Sequence, residues 1–365
     1  MRIPRDISTS KREPIDDLGG RSRIPNEFCS LEVRKQSRIE WLAFWYFATY
    51  VPYAVLVRWL ATVPYPPLGR PLTGLEILPA TTIFSGILTL MYAWASGWWR
   101  YAHQTKLLGI PLVRPTRWTL LSGMGTAMLL FTVPLSFTFQ GVSIPFMQLL
   151  MRGDVLVIAP LVDLMAGRRV RWYSWVALIL VAIGLILTIG TRGGLHLPPL
   201  AIVTVVLYTL GYFVRLAVMT KIGKTGDQNI VKGYFVEEKM VAIPVAVLML
   251  AILSALGLGA QGNQLSFGFV GVWASNQLPP IFGLSVLLVL VSLFSILILL
   301  DPRENTYCVP IERSASILAG TAAAYILAEM SLGKPPTAAE AAGAALLTAA
   351  ITILSLGPKI RRAPE

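Results

Sequence analysis

Two places in the chain put an acid and a base deep inside apolar sequence. In the stretch IPFMQLLMRGDVLVIAPLVDLMA, Arg152 and Asp154 lie two residues apart. In YCVPIERSASILAG, Glu312 and Arg313 are adjacent. Each pair follows a proline, Pro145 or Pro310. An ion at the centre of a bilayer costs roughly 2.5–3.5 kcal/mol on insertion scales, so each such group needs a partner, a wet cavity or a task. A guanidinium presents a fork of donors that fits carboxylate or phosphate. A carboxyl group can carry a proton along a transport path. The candidate site is therefore Gln148, Arg152 and Arg313 for an anionic solute, with Asp154 and Glu312 as proton-coupling groups or ion-pair partners.

Helical spacing refines this. At 100° per residue, Gln148, Arg152, Ala159 and Asp163 fall on one stripe of a continuous helix. Asp154 lies about 200° from Arg152 on that helix, so the two do not share a face. Two arrangements stay open. In one, Arg152 pairs with Glu312 and Arg313 with Asp154, locking two helices together. In the other, an arginine faces a cavity and binds solute. Tyr46, Tyr50 and Tyr53 recur at i, i+4, i+7 and form a further stripe, either cavity-lining (Tyr50 and Tyr53 as binding residues) or helix-packing. Arg215, Lys239 and Asp301 fall near the expected ends of spans, where long side chains reach the interface.

The elements that must position these groups follow from composition. The chain is 55% hydrophobic and 14% charged, against about 45–50% and about 25% in soluble domains. Its apolar residues come in blocks of about 20, the helical length that crosses the hydrocarbon core. Ten such spans are expected, at 41–60, 77–97, 118–138, 144–166, 172–189, 200–220, 240–258, 281–300, 307–327 and 338–356. The fold class is an all-α polytopic membrane protein.

The net charge of +12 records orientation more than a nucleic-acid partner. With the N-terminus inside, the cytoplasmic segments carry 23 Lys and Arg residues and the outside segments 4. This bias places both termini in the cytoplasm of a plasma (cell inner) membrane protein. Residues 1–38 mix Ser, Arg, Asp and Pro without periodicity and are expected to be a disordered basic cytosolic tail. The charge-free stretch 259–280 is expected to be an external or interfacial cap. The chain has two cysteines, Cys29 and Cys308, and two histidines, His103 and His196, which this topology puts on opposite sides. No disulfide framework, metal cluster, phosphate loop or nucleophile motif can be assembled from it. No enzyme activity, catalytic residue, metal or cofactor is expected. The expected partners are a small-molecule solute and the bilayer, with a homodimer allowed and nucleic acid excluded.

An internal repeat organises the spans. Pro145 and Pro310 each precede a span, then a short link, Gly167-Arg168 or Gly333-Lys334. A further helix follows with small residues seven apart, Ala177 and Gly184 or Gly343 and Ala350. Five spans per copy is an odd number, so the copies, residues 39–190 and 191–365, would be inverted about the membrane plane, as in many secondary transporters. The packing expected is the fourth and ninth spans face to face at the centre. These motifs resemble the EamA-type halves of the drug/metabolite transporter superfamily, with Arg168 and Lys334 standing where those halves carry a glutamate. The resemblance covers 141–187 and 307–354 and implies two inverted five-helix repeats that move a small organic metabolite by alternating access. A non-transporting scaffold or a lipid-handling membrane protein is the alternative.

Overall fold

The computed structural model describes residues 26–360 apart from 66–67, 108–109, 140–141, 143, 153–154, 168–171, 192–197, 258 and 275. It is an α-helical protein. The helices are α1 (Asn26–Leu60), α2 (Gly74–Ala95), α3 (Arg117–Ser136), α4 (Ile144–Arg152), α5 (Val155–Met165) and α6 (Trp172–Thr191). They continue with α7 (Pro199–Val218), α8 (Gln228–Ala255), α9 (Gly259–Val270), α10 (Leu278–Leu299), α11 (Asn305–Glu329) and α12 (Ala338–Ile360). A short antiparallel hairpin, β1 (Gln104–Leu107) with β2 (Ile110–Val113), joins α2 to α3, with Gln104 opposite Val113. Among the described residues, five helices are long and apolar enough to cross a membrane: Gly74–Ala95, Arg117–Ser136, α7 with its continuation to Gly223, Gln228–Ala255 and Leu278–Leu299.

Local chemistry accounts for the helix starts. Thr73 and Glu76 form a reciprocal capping box at α2, satisfying two N–H groups that the helix itself leaves unbonded. Thr116 and Asp227 cap α3 and α8 in the simpler way, accepting from the N–H groups of Thr119 and Asn229. Asp163, at the far end of α5, caps α11 from outside. Its carboxylate accepts from the backbone N–H groups of Asn305 at 3.0 Å and Thr306 at 2.8 Å and from Asn305 Nδ2 at 2.8 Å. Negative charge there complements the helix dipole. After α7 the chain runs through a single π-helical turn, Met219–Gly223.

Within the expected span 144–166 the structure describes α4 (Ile144–Arg152) and α5 (Val155–Met165), and residues 153–154 between them lie outside the described residues. Of the stripe Gln148–Arg152–Ala159–Asp163, Gln148 and Arg152 are hydrogen-bonded on α4, and Asp163 on α5 caps α11. Asp154 lies outside the described residues, as do Arg168 and His196. The stretch 259–280 contains the helix α9. Helix α9 presses on α2 at Gly268, where a Cβ would sit 2.6 Å from the Glu76 carbonyl oxygen. Helix α1 begins at Asn26 rather than at residue 41, and residues 1–25 of the expected tail lie outside the described residues.

Packing follows small residues. Helix α11 lies against α4 at Gly320, where a Cβ would come within 3.2 Å of Gln148 Cγ and 3.3 Å of Ile144 Cγ2. Helix α6 packs along α12, with Gly184 against Gly343. Helices α3 and α7 approach at Gly125 and Gly211, whose backbones leave no room for a Cβ on either side. Helix α2 contacts both α8 and α10, and α8 contacts α3.

Candidate functional site

Arg152 ends α4 and is 3% exposed. Its Nε donates to Gln148 Oε1 at 3.0 Å, one turn back on the same helix. Its Nη2 donates to Tyr50 Oη of α1 at 3.0 Å, and its Nη1 donates to the hydroxyl of Tyr208 on α7. Gln148 Nε2 also donates to Tyr50 Oη, at 3.2 Å, so these groups form one network. All of Arg152's acceptors among the described residues are neutral. A buried guanidinium would ordinarily take a carboxylate as partner, since burial strips it of water.

Glu312 and Arg313 stand beside it on α11. Glu312 Oε1 accepts from Tyr46 Oη at 2.9 Å and Ser295 Oγ at 3.1 Å. Its Oε2 is 3.6 Å from Arg313 Nε. The Arg313 guanidinium lies over the Tyr212 ring, 3.7 Å from the centroid, and also donates to Tyr208 Oη. Two guanidiniums thus converge on one phenol oxygen. The expected ion pair between Arg152 and Glu312 is not formed, because Glu312 is drawn to the cation on its own helix. The other expected pair, Arg313 with Asp154, lies outside the described residues.

A second charged group sits on α7 and α8. Arg215 Nε donates to Glu238 Oε1 at 2.8 Å, and Ser122 and Thr126 of α3 donate to the same oxygen at 2.9 and 2.7 Å. Lys239 Nζ donates to Ser292 Oγ of α10 at 2.8 Å. Both cations are buried, which corrects the expectation that they reach the interface. The reason is length: α8 begins at Gln228, not at residue 240, so Lys239 lies well inside the helix. Successive residues 100° apart then send Glu237, Glu238 and Lys239 three ways. Glu237 accepts from His103 Nδ1 at 2.6 Å and Thr119 Oγ1 at 2.9 Å and holds the base of the hairpin.

The two groups meet at a cavity of about 70 Å³, room for several water molecules. Tyr46 and Tyr50, Arg152, Tyr212 and Arg215, Lys239, Ser292 and Ser295, and Glu312 supply its polar wall. Leu129, Leu130, Val133, Leu288 and Val291 supply the apolar part. Of the residues expected to bind solute, Arg152 and Tyr50 line the cavity, while Gln148 and Arg313 support it from behind. Tyr53 does not line it: its ring packs against Tyr50 and Phe137 in the core. Glu312 also lines the cavity.

Tyr208, Tyr212, Arg215, Glu238 and Lys239 are additions that the sequence reading did not make. A signal for three of them was present. Tyr208, Tyr212 and Arg215 recur at i, i+4, i+7 on α7, the spacing of Tyr46, Tyr50 and Tyr53 on α1.

No protein-family model matches the chain, and no curated protein matches it. Among solved structures there is similarity to a crystal structure of a protein, with a TM-score of 0.52 at 13% sequence identity, covering 90% of this chain and 100% of that chain. At that identity the likeness concerns the fold alone.

Proposed function

We propose that the protein is a secondary transporter that carries a small anionic solute through the cavity at Arg152. The observation that carries this reading is a buried guanidinium whose described partners are all neutral and which lines a solvent-sized cavity among membrane-length helices. A cation whose described hydrogen-bond partners are all neutral at that depth is matched by a solute that brings a counter-charge. Glu312, on the same wall, is the group that would take and release a proton if transport is proton-coupled.

The architecture we propose is ten spans in two inverted five-helix repeats, with α4 and α5 together making the fourth. The pattern of neighbours supports it. Counterpart helices touch each other, α2 with α8, α4 with α11 and α6 with α12. Exchanged pairs occur too, α3 on α8 and α10 on α2. A two-fold relation between halves generates both. Membership of the EamA-like branch of the drug/metabolite transporters, a cell-membrane location and cytoplasmic termini belong to the same proposal. They are supported by the repeat motifs and by the distribution of Lys and Arg.

The test is uptake of labelled anionic and neutral metabolites into liposomes containing the purified protein. Arg152→Lys should retain folding and lose most affinity, because lysine keeps the charge and loses the fork. Reporter fusions at 221–236 should read inside and those at 259–280 outside. No flux of any anion, in protein that is folded and inserted, would remove the transporter reading.

A further inference from the structure

Among the described residues, pairing the charges around the cavity leaves two of them over. Arg313 stands against Glu312, and Arg215 against Glu238. Glu238 is saturated, since Arg215, Ser122 and Thr126 all donate to it. What remains is Arg152 on one wall and Lys239 on the other. Lys239 is 3% exposed, and among the described residues its ammonium has one hydrogen-bond acceptor, Ser292 Oγ. An ammonium carries three donors. A buried cation with two donors unspent and no carboxylate in contact is an anion site in waiting.

Helix α10 fixes how the two walls relate. Ser292 holds Lys239 and Ser295 holds Glu312. Residues three apart on a helix lie about 5–6 Å from each other at Cβ. Lys239 is therefore placed about one helical turn from Glu312 along the cavity, on a different wall from Arg152. The residual charges belong to different parts of the chain, Arg152 to α4 and Lys239 to α8, so a ligand that reached both would draw those helices together.

We infer that Lys239 is a second anion-binding residue and that the solute carries two acidic groups, one held by Arg152 and the other by Lys239. This deepens the anion-transport reading and rests on it. A monoanion would neutralise one of the buried cations and leave the other bare, whereas a diacid of short chain length neutralises both.

The probes are straight-chain dicarboxylates of four to six carbons, each beside its own monoamide, which has the same length and one charge fewer. Dissociation constants are measured on the purified full-length protein in detergent. At least one dicarboxylate should bind about tenfold or more tighter than its monoamide, as expected for a charge-assisted hydrogen bond. Lys239→Met should bring that ratio close to one, and Lys239→Arg should keep most of it. Should Lys239→Met not fold, Ser292→Ala, which frees the ammonium without removing it, should lower the ratio several-fold. If monoamides bind the wild type as tightly as dicarboxylates do, the second site is wrong while Arg152 stands. A ratio that survives in Lys239→Met removes Lys239 from the site. If no dicarboxylate or monoamide binds folded protein, the inference falls, whereas the reading of Arg152 falls only if no anion of any kind is carried.

Discussion

Among the described residues, the wall built on α4 and α11 and the wall built on α7 and α8 have the same formal content at the cavity, two cations and one carboxylate, but spend it differently. On the second wall the carboxylate is central. Glu238 gathers Arg215, Ser122 and Thr126, and Lys239 is directed away to Ser292. On the first wall the phenol of Tyr208 is central, accepting from both Arg152 and Arg313, while Glu312 stands 3.6 Å from Arg313 and is fixed by Tyr46 and Ser295. A carboxylate that collects donors makes a structural joint. A neutral oxygen that accepts from Arg152 leaves that cation's charge available to a ligand. Position on a helix does not separate the two kinds of cation. The identity of the acceptor does.

The comparison can be broken most forcefully at the joint. Arg215→Gln leaves Glu238 buried with hydroxyl donors only, and loss of one partner of a buried pair costs about 3–5 kcal/mol. The expected result is poor yield of folded protein and a melting temperature in detergent far below wild type. Neutralising Glu238 as well should recover much of the loss. An unchanged melting temperature in the single variant would mean that the joint is not structural.

A smaller effect is expected where the first wall is braced. Tyr46→Phe removes one of two hydroxyl donors to Glu312, and hydrogen bonds to charged groups are worth about 1.5–3 kcal/mol. Thermal denaturation should show a moderate loss, and proton-coupled uptake, if present, should shift its pH dependence. Close behind comes Gly320→Leu, which would drive a side chain into Gln148 and Ile144 at about 1–3 kcal/mol, the range for overpacked cores. Wild-type stability and flux in that variant would place Gly320 away from α4. The smallest effect is expected at the cap. Asp163→Ala removes the acceptor for the first N–H groups of α11, at about 0.5–2 kcal/mol. Hydrogen exchange there should rise at Asn305 and Thr306 and leave the end of α11 unchanged.

Much of this was legible in the residues themselves. Trp172, Ala338 and the apolar runs around 118–138 and 281–300 mark helices within a few residues of where they lie, because bilayer-length apolar blocks have few other uses. Arg152 and Glu312 announced the cavity by the cost of their burial. Lys239 did not, because a window weighted to apolar residues starts the helix at Met240 and puts the lysine at its end. The helix instead starts at the cap, Asp227, and the polar segment QNIVKGYFVEEK is its first half. Whether Arg152 pairs with Glu312 was also not legible. It depends on Tyr208 and Tyr212, which come from a distant helix, and on Arg313 reaching Glu312 first.

The most direct measurement compares Arg152→Gln with wild type for both melting temperature and anion flux in liposomes. All the described hydrogen-bond partners of Arg152 are neutral, so among the described residues its loss removes no donor from a carboxylate. The account predicts a melting temperature close to wild type and flux reduced to background. Normal flux would contradict the binding role. So would a collapsed melting temperature that neutralising Glu312 restores, since Arg152 would then be half of an ion pair and nothing more.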